Sequence, residues 1–292
     1  MNTEKRIDTC IGVRTLAANE VIKTFKKLTQ PSELEFCASL TEGLKKHSEL
    51  YGQGWYDPPP GGVVALFSDE KSFSRVLFDT LRKEEFWPNS QHIFNKTSVG
   101  FVYCSPVDRP TGIIGDFAVT VYRGTDIQVQ EHLKRCLAIV ERAAEFAKVG
   151  MEFREIHNFS QKLLFDEGLS NRRTLTYTDK VGTNIGHTIP WSYEDPTPEE
   201  EKIISSQDFN ALKKLISSKR INLNKEERFK VPKTIAFTVE LRIEDPNDST
   251  LPNTYSHVIV TFKSGTKKVV TNFNPVFEVM GMHSYLVSRF NT

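Results

Sequence analysis

Three β-rich runs follow one another toward the C-terminus: Thr234–Ile243 (TIAFTVELRI), Tyr255–Phe262 (YSHVIVTF) and Lys267–Phe273 (KKVVTNF). Only Lys263-Ser264-Gly265 and Thr266 separate the second run from the third. Parallel neighbours need a crossover of a dozen or more residues, whereas a short Gly-containing turn joins antiparallel strands. This part of the chain is therefore expected to be antiparallel sheet. A doubly wound parallel sheet is not expected.

Upstream, the apolar spacing is helical. Residues 15–50 read as two helices, the second opened by Pro31-Ser32-Glu33-Leu34-Glu35, with proline and acidic residues suited to a helix start. Asp69–Phe86 spaces Phe73, Val76, Leu77 and Leu81 as a helix would. Ile127–Lys148 sets Leu133, Leu137, Val140 and Ala144 on one stripe, with Gly150 beyond its end. Glu152–Glu167 turns Phe153, Ile156, Phe159 and Leu163 inward and ends at Gly168. Val63–Phe67, Ser98–Ser105 and Asp116–Tyr122 read as strands, and 174–191 as a strand and loop. The turn-rich stretch Trp55–Gly62 (WYDPPPGG) either rims a pocket or staples the N-terminal helices to the sheet. Helices packed on one side of a curved, mostly antiparallel sheet give an α+β fold.

Charge excludes some functions. Lys+Arg 38 against Asp+Glu 37 leaves a net charge of +1, without the basic stripe of a nucleic-acid module or the excess charge of a disordered tail. No stretch approaches the ~20 apolar residues of a membrane span. The first twenty residues lack the apolar core of a secretory signal. Cys10, Cys37, Cys104 and Cys136 are scattered, with no CxxC pair, so reduced thiols in a cytoplasmic protein are expected.

Four segments, read in order, resemble the pita-bread fold family M24, that of methionine aminopeptidase, prolidase and creatinase. Val149-Gly150-Met151-Glu152-Phe153-Arg154-Glu155-Ile156 is similar to the family's PGxxxxEI turn and helix start. Val181-Gly182-Thr183-Asn184-Ile185-Gly186-His187 is similar to its GHGIG(H) loop, and Phe237-Thr238-Val239-Glu240 to its FTIE strand. Tyr255–Thr261, with Ser264-Gly265 and Val270–Phe273, is similar to its final hairpin, and Gly115-Asp116 extends the likeness upstream. The resemblance implies one pita-bread domain over 1–292. Its N-terminal half would span about 1–114 and its C-terminal half about 115–292, with a charged insertion at about 192–230.

The family's peptidases hold two divalent metals through two Asp, one His and two Glu. The resemblance places those positions mostly on other residues. The Asp a few residues beyond Gly115-Asp116 falls on or near Val121, the loop His on Thr183 and the second Glu on Ser256. Glu240 keeps the first Glu, Asp126 is a candidate for the second Asp, and the upstream substrate-side His aligns with Tyr103 or Cys104. No metal pair and no other cofactor is expected.

Three functions compete. The first is a creatinase-like, metal-independent hydrolase, lyase or biosynthetic enzyme acting on a small amino-acid-derived or cationic substrate. His187, Glu240 and Tyr103 would be catalytic, and Thr183, Trp191, Ser256 and Asp126 would bind substrate. The second is a non-catalytic pseudo-peptidase holding a peptide or protein segment in the cleft, and the third a metal-dependent aminopeptidase or Xaa-Pro peptidase. His187 is either a satisfied loop histidine or an acid–base group, and Glu240 either pairs with Arg242 or holds a cationic substrate group. Strand alternation forbids Ser256 and His257 from sharing a face; with Ser256 inward, His257 faces away. Asp126 equally suits a helix start. The expected partner is a small molecule or peptide in the cleft, not nucleic acid or membrane; a homodimer is allowed.

Overall fold

The computed structural model describes residues 2–69, 72–76, 81–173 and 182–290. In chain order its elements are α1 (Thr3–Lys27), α2 (Glu33–Lys45), β1 (Val63–Ser68), β2 (Val99–Cys104), β3 (Phe117–Tyr122), α3 (Ile127–Phe146) and α4 (Phe153–Asp166). There follow β4 (Ser170–Asn171), α5 (Pro198–Ser205), α6 (Phe209–Lys219), β5 (Ile235–Glu244), β6 (Thr254–Lys263), β7 (Thr266–Val270) and α7 (Asn274–Val279).

The antiparallel layer is present as two sheets, ordered β1-β2-β3 and β4-β5-β6-β7, with every pairing antiparallel. They meet where Tyr255 N of β6 donates to Thr120 Oγ1 of β3 at 2.7 Å. Strands β1, β2 and β3 are buried throughout, and β5 and β6 nearly so, which explains their almost continuous apolar runs. Helix α3 packs on β5 and β6, while α2 packs on β1.

The apolar stripe of α3 is inside: Leu133, Leu137, Val140 and Ala144 are all buried. Asp126 caps this helix, its carboxylate accepting from Gln128 N at 2.7 Å. Ser32 and Glu35 cap α2 with a reciprocal capping box. Helix α1 starts at Thr3, well before residue 15, because Asn2 accepts from Lys5 N and caps it there.

The helix expected over 69–86 is not the observed structure. Its described residues form two 3₁₀ turns, Ser74–Val76 and Glu84–Phe86, while residues 70, 71 and 77–80 lie outside the described set. Tertiary contact overrides the periodicity. Arg75 Nε and Nη2 donate to the two carboxylate oxygens of fully buried Glu33, at 2.8 Å each, and its guanidinium also holds the carbonyls of Glu85 and Trp87. Glu33 in turn accepts from Phe67 N and Asn89 N, tying α2, β1 and the 75–89 segment together. The expected strand within 174–191 falls mostly outside the described residues; 182–191 is loop.

Candidate active site

Alternation along β5 puts Thr238, Glu240 and Arg242 on one face and Val239 and Leu241 on the other. The register then sets His257 opposite Glu240 and Tyr255 opposite Arg242. Ser256 pairs with Leu241 on the reverse face. Ser256, expected to face the cleft, lies on the reverse face, while His257 shares the face of Glu240.

The segment 185–189 runs beside this strand. Thr238 N donates to His187 O at 2.8 Å, Glu240 N to Ile185 O at 2.8 Å, and His187 N to Thr238 Oγ1 at 2.9 Å. Gly186 makes this approach feasible. A Cβ there would sit 2.0 Å from Thr238 O, and its φ of +153° lies where side chains are rarely tolerated. On its other side the loop pairs with 221–223, so that Arg220 is delivered to the same place. Asp116 arrives at the start of β3 after Gly115, where a Cβ would collide with the α1 backbone at Arg14 N.

These elements line a cavity of about 70 Å³. Asp116, His187, Glu240, Arg220 and Arg242 supply its charged and titratable groups, with Trp55, Tyr56, Tyr103 and Tyr255 as aromatic walls. Trp55 Nε1 donates to Asp116 Oδ1 at 2.7 Å, and the Arg220 guanidinium stacks on the Trp55 ring at 4.3 Å. Tyr255 donates its hydroxyl to Glu240 Oε2 at 2.5 Å. The Tyr103 ring meets Tyr56 edge-on.

Burial dominates the titration of these groups. It raises Asp116 from 3.8 to about 7; the Trp55 hydrogen bond opposes that rise, and the nearby Glu240 charge adds to it. Burial likewise raises Glu240, against the Tyr255 hydrogen bond. It lowers His187 to about 3, with Arg220 adding to the effect, and His257 well below its usual value, with Arg14 adding. Both imidazoles are therefore neutral at pH 7, and Asp116 is the group poised near neutrality.

Of the residues singled out from sequence, His187, Glu240 and Tyr103 line this cavity. Thr183 is half-buried in the 182–187 loop, and its neighbour Asn184 lines the cavity instead. Trp191 belongs to an apolar cluster with Ile204, Leu212 and Ile216, its Nε1 donating to Glu200 Oε2 at 3.1 Å, so it is core rather than rim. Asp126 serves as the α3 cap. Val121 is fully buried in β3. Sequence reading missed Asp116, His257, Tyr255 and Arg220 as site residues. Asp116 alone had a local cue, its place after Gly115 before an apolar strand.

Residues 87–244 match Metallopeptidase family M24, and the chain belongs to that family. It resembles the X-Pro aminopeptidase of Thermotoga maritima MSB8 (12% identity, TM-score 0.58), over 91% of this chain and 60% of that one. It also resembles the prolidase of Pyrococcus horikoshii OT3 (11% identity, TM-score 0.60), over 92% and 62%. The methionine aminopeptidase of Rickettsia prowazekii is similar over 92% of this chain and 98% of its own (11% identity, TM-score 0.61). The fold is thus the pita-bread α+β fold, and the chain spans about three fifths of the X-Pro aminopeptidase and of the prolidase. A comparison with curated proteins found no match. Among the described residues, no helix is long and apolar enough to cross a membrane.

One cluster among the described residues has metal-ligand character: Asp116, His187 and His257, with one donor atom of each within 4.8 Å of the others. His187 presents a ligand-like Nε2, because its Nδ1 donates to Thr188 O at 3.0 Å. His257 does not. Its Nδ1 lies 3.2 Å from Arg14 Nη1, and a guanidinium only donates, so Nδ1 accepts and the neutral ring carries its proton on Nε2. Arg220 and Arg242 add further positive charge around the cavity. This donor set does not fit the divalent pair of the family's peptidases.

Proposed function

We propose that this chain is a metal-independent member of its family that acts on a small amino-acid-derived molecule. The observation that carries this reading is the convergence of two carboxylates, Asp116 and Glu240, and two guanidiniums, Arg220 and Arg242, on one small cavity. An α-ammonium group facing the carboxylates and a carboxylate facing the arginines would complement both in charge. A cavity of roughly 150 Å³ accommodates benzene, so about 70 Å³ suits the head of an amino acid. The His257 tautomer weighs against the metal-dependent peptidase.

In this reading Asp116 exchanges the proton. Its pKa of about 7 suits a general acid–base group at neutral pH. His187 itself, at about 3, stays neutral and orients the ligand. Glu240 binds the cationic end, and Tyr103 closes the opposite wall. The four free cysteines suit a reducing compartment such as the cytoplasm.

Calorimetric titration with L-alanine, L-alaninamide and propionate, after chelator treatment, tests the proposal. L-Alanine should bind at least about tenfold tighter than either analogue, and Arg220→Met should abolish that preference. Equal binding of L-alanine and propionate would show that the carboxylates do not recognise an ammonium group.

A further inference from the structure

Two arginines stand side by side at the edge of the second sheet. Arg172 N donates to Arg242 O, and the β5–β6 register sets Arg242 opposite Tyr255. Arg172, Arg242 and Tyr255 thus form one row from the end of β4 across β5 to β6. Like charges that face each other across strands repel. Arg242 is 7% exposed, and its guanidinium meets only neutral hydrogen-bond acceptors. Nε donates to Arg172 O at 3.3 Å, and Nη2 to Asn184 O at 2.9 Å and Asn184 Oδ1 at 3.4 Å. Arg172 pairs through Nη1 with Glu244 Oε2 at 2.8 Å, which offsets one of the two charges. A buried cation without a paired counter-charge is costly.

Both arginines line a second chamber of about 20 Å³, and among the described residues no carboxylate lines it. Asn253 lines it as well, and its Nδ2 is buried with no hydrogen-bond partner. A buried donor left unmade is costly and is rare in native proteins. Thr120 Oγ1 is already engaged, donating to Tyr255 O and accepting from Tyr255 N. One water needs about 10–15 Å³, so the chamber has room for one small group. We infer that this chamber is a site for one small monovalent anion, a halide ion or the end of a carboxylate, held between Arg172 and Arg242 and hydrogen-bonded by Asn253. A cation would be repelled, and a neutral acceptor would leave the arginine charge unbalanced. Arg242 and Tyr255 also line the larger cavity. The anion is therefore either free in solution before it binds or the carboxylate of a molecule whose remainder lies in that cavity. The inference goes beyond the metal-free reading of the larger cavity and does not depend on it.

Crystals of the whole chain soaked in sodium bromide test this directly. An anomalous peak is expected in the chamber, beside Arg172 and Arg242. In solution, ³⁵Cl line broadening of sodium chloride reads the affinity, and Arg172→Gln and Asn253→Ala should each weaken it at least about tenfold. If neither variant folds, the bromide map of the unsubstituted protein still decides. Bromide that stays in place when L-alanine is added identifies a free anion; bromide displaced by both sodium formate and L-alanine identifies the carboxylate of a cavity ligand. An ordered water with no anomalous signal at saturating bromide, or chloride broadening unchanged in both variants, overturns the inference. None of these results reports on metal binding in the larger cavity, which manganese or zinc titration reads separately.

Discussion

Trp55 Nε1 donates to Asp116 Oδ1 at 2.7 Å, joining residues 61 positions apart in the chain and placing an indole between the buried carboxyl and the Arg220 guanidinium. This bond is the main local support for the charged form of Asp116. Trp55→Phe removes the donor and keeps most of the ring. A hydrogen bond to a charged group contributes about 1.5–3 kcal/mol, so the Asp116 midpoint should rise by about one to two pH units. Carboxyl ¹³C chemical shifts followed with pH check this; an unchanged midpoint counts against the geometry.

Asp116→Asn gives a stability test with a defined sign. Folding raises the Asp116 pKa from 3.8 to about 7, so between those values the native state holds a proton that the unfolded chain has released. The stability tied to protonated Asp116 is fully present below about pH 4 and is lost as pH rises through about 7. Asn keeps an acceptor for Trp55 and removes this loss. Its advantage over the unsubstituted protein should grow from pH 4 to pH 7 and level off above that at roughly a few kcal/mol, as read by urea melts.

His187 acts in the opposite direction. Its pKa falls from 6.5 to about 3 on folding, so the unfolded chain takes up the proton first as pH drops. Its contribution is complete above about pH 6.5 and is lost as pH falls toward 3. His187→Asn should flatten the acid limb of the stability curve between those values. An acid limb identical to that of the unsubstituted protein would mean that the imidazole is not buried neutral.

Away from the cavity, Glu33 is the buried anchor of the N-terminal half. Both its oxygens are engaged by Arg75, and by the amides of Phe67 and Asn89. Glu33→Ala should cost about 3–5 kcal/mol, because it strands the buried Arg75 cation. The double variant Glu33→Ala/Arg75→Met should be less destabilised than Glu33→Ala alone, a coupling measurable by a double-mutant cycle.

What was legible in the sequence was local. The α3 stripe and the β5 and β6 runs are written in consecutive residues and form the elements expected of them; His187 and Glu240, in similarly local motifs, line the cavity. The 69–86 segment carries helical spacing, but Glu33, some 40 residues upstream, reorganises it through Arg75. The site was legible only in part for the same reason. Whether His257 or Ser256 shares the face of Glu240 depends on the β5–β6 register, which no single strand discloses. Arg14 and Arg220 come from the first helix and from the end of α6, and nothing in their own neighbourhoods marks them.

The central claim is that this cavity works without a divalent metal. Elemental analysis of untagged protein, equilibrated with manganese, cobalt and zinc and then dialysed, tests it most directly. The expected result is far less than one ion per chain, unchanged by Asp116→Asn or Glu240→Gln. One or two tightly held ions per chain, lost in both variants, would contradict it and return the cavity to the metallopeptidase chemistry of its family.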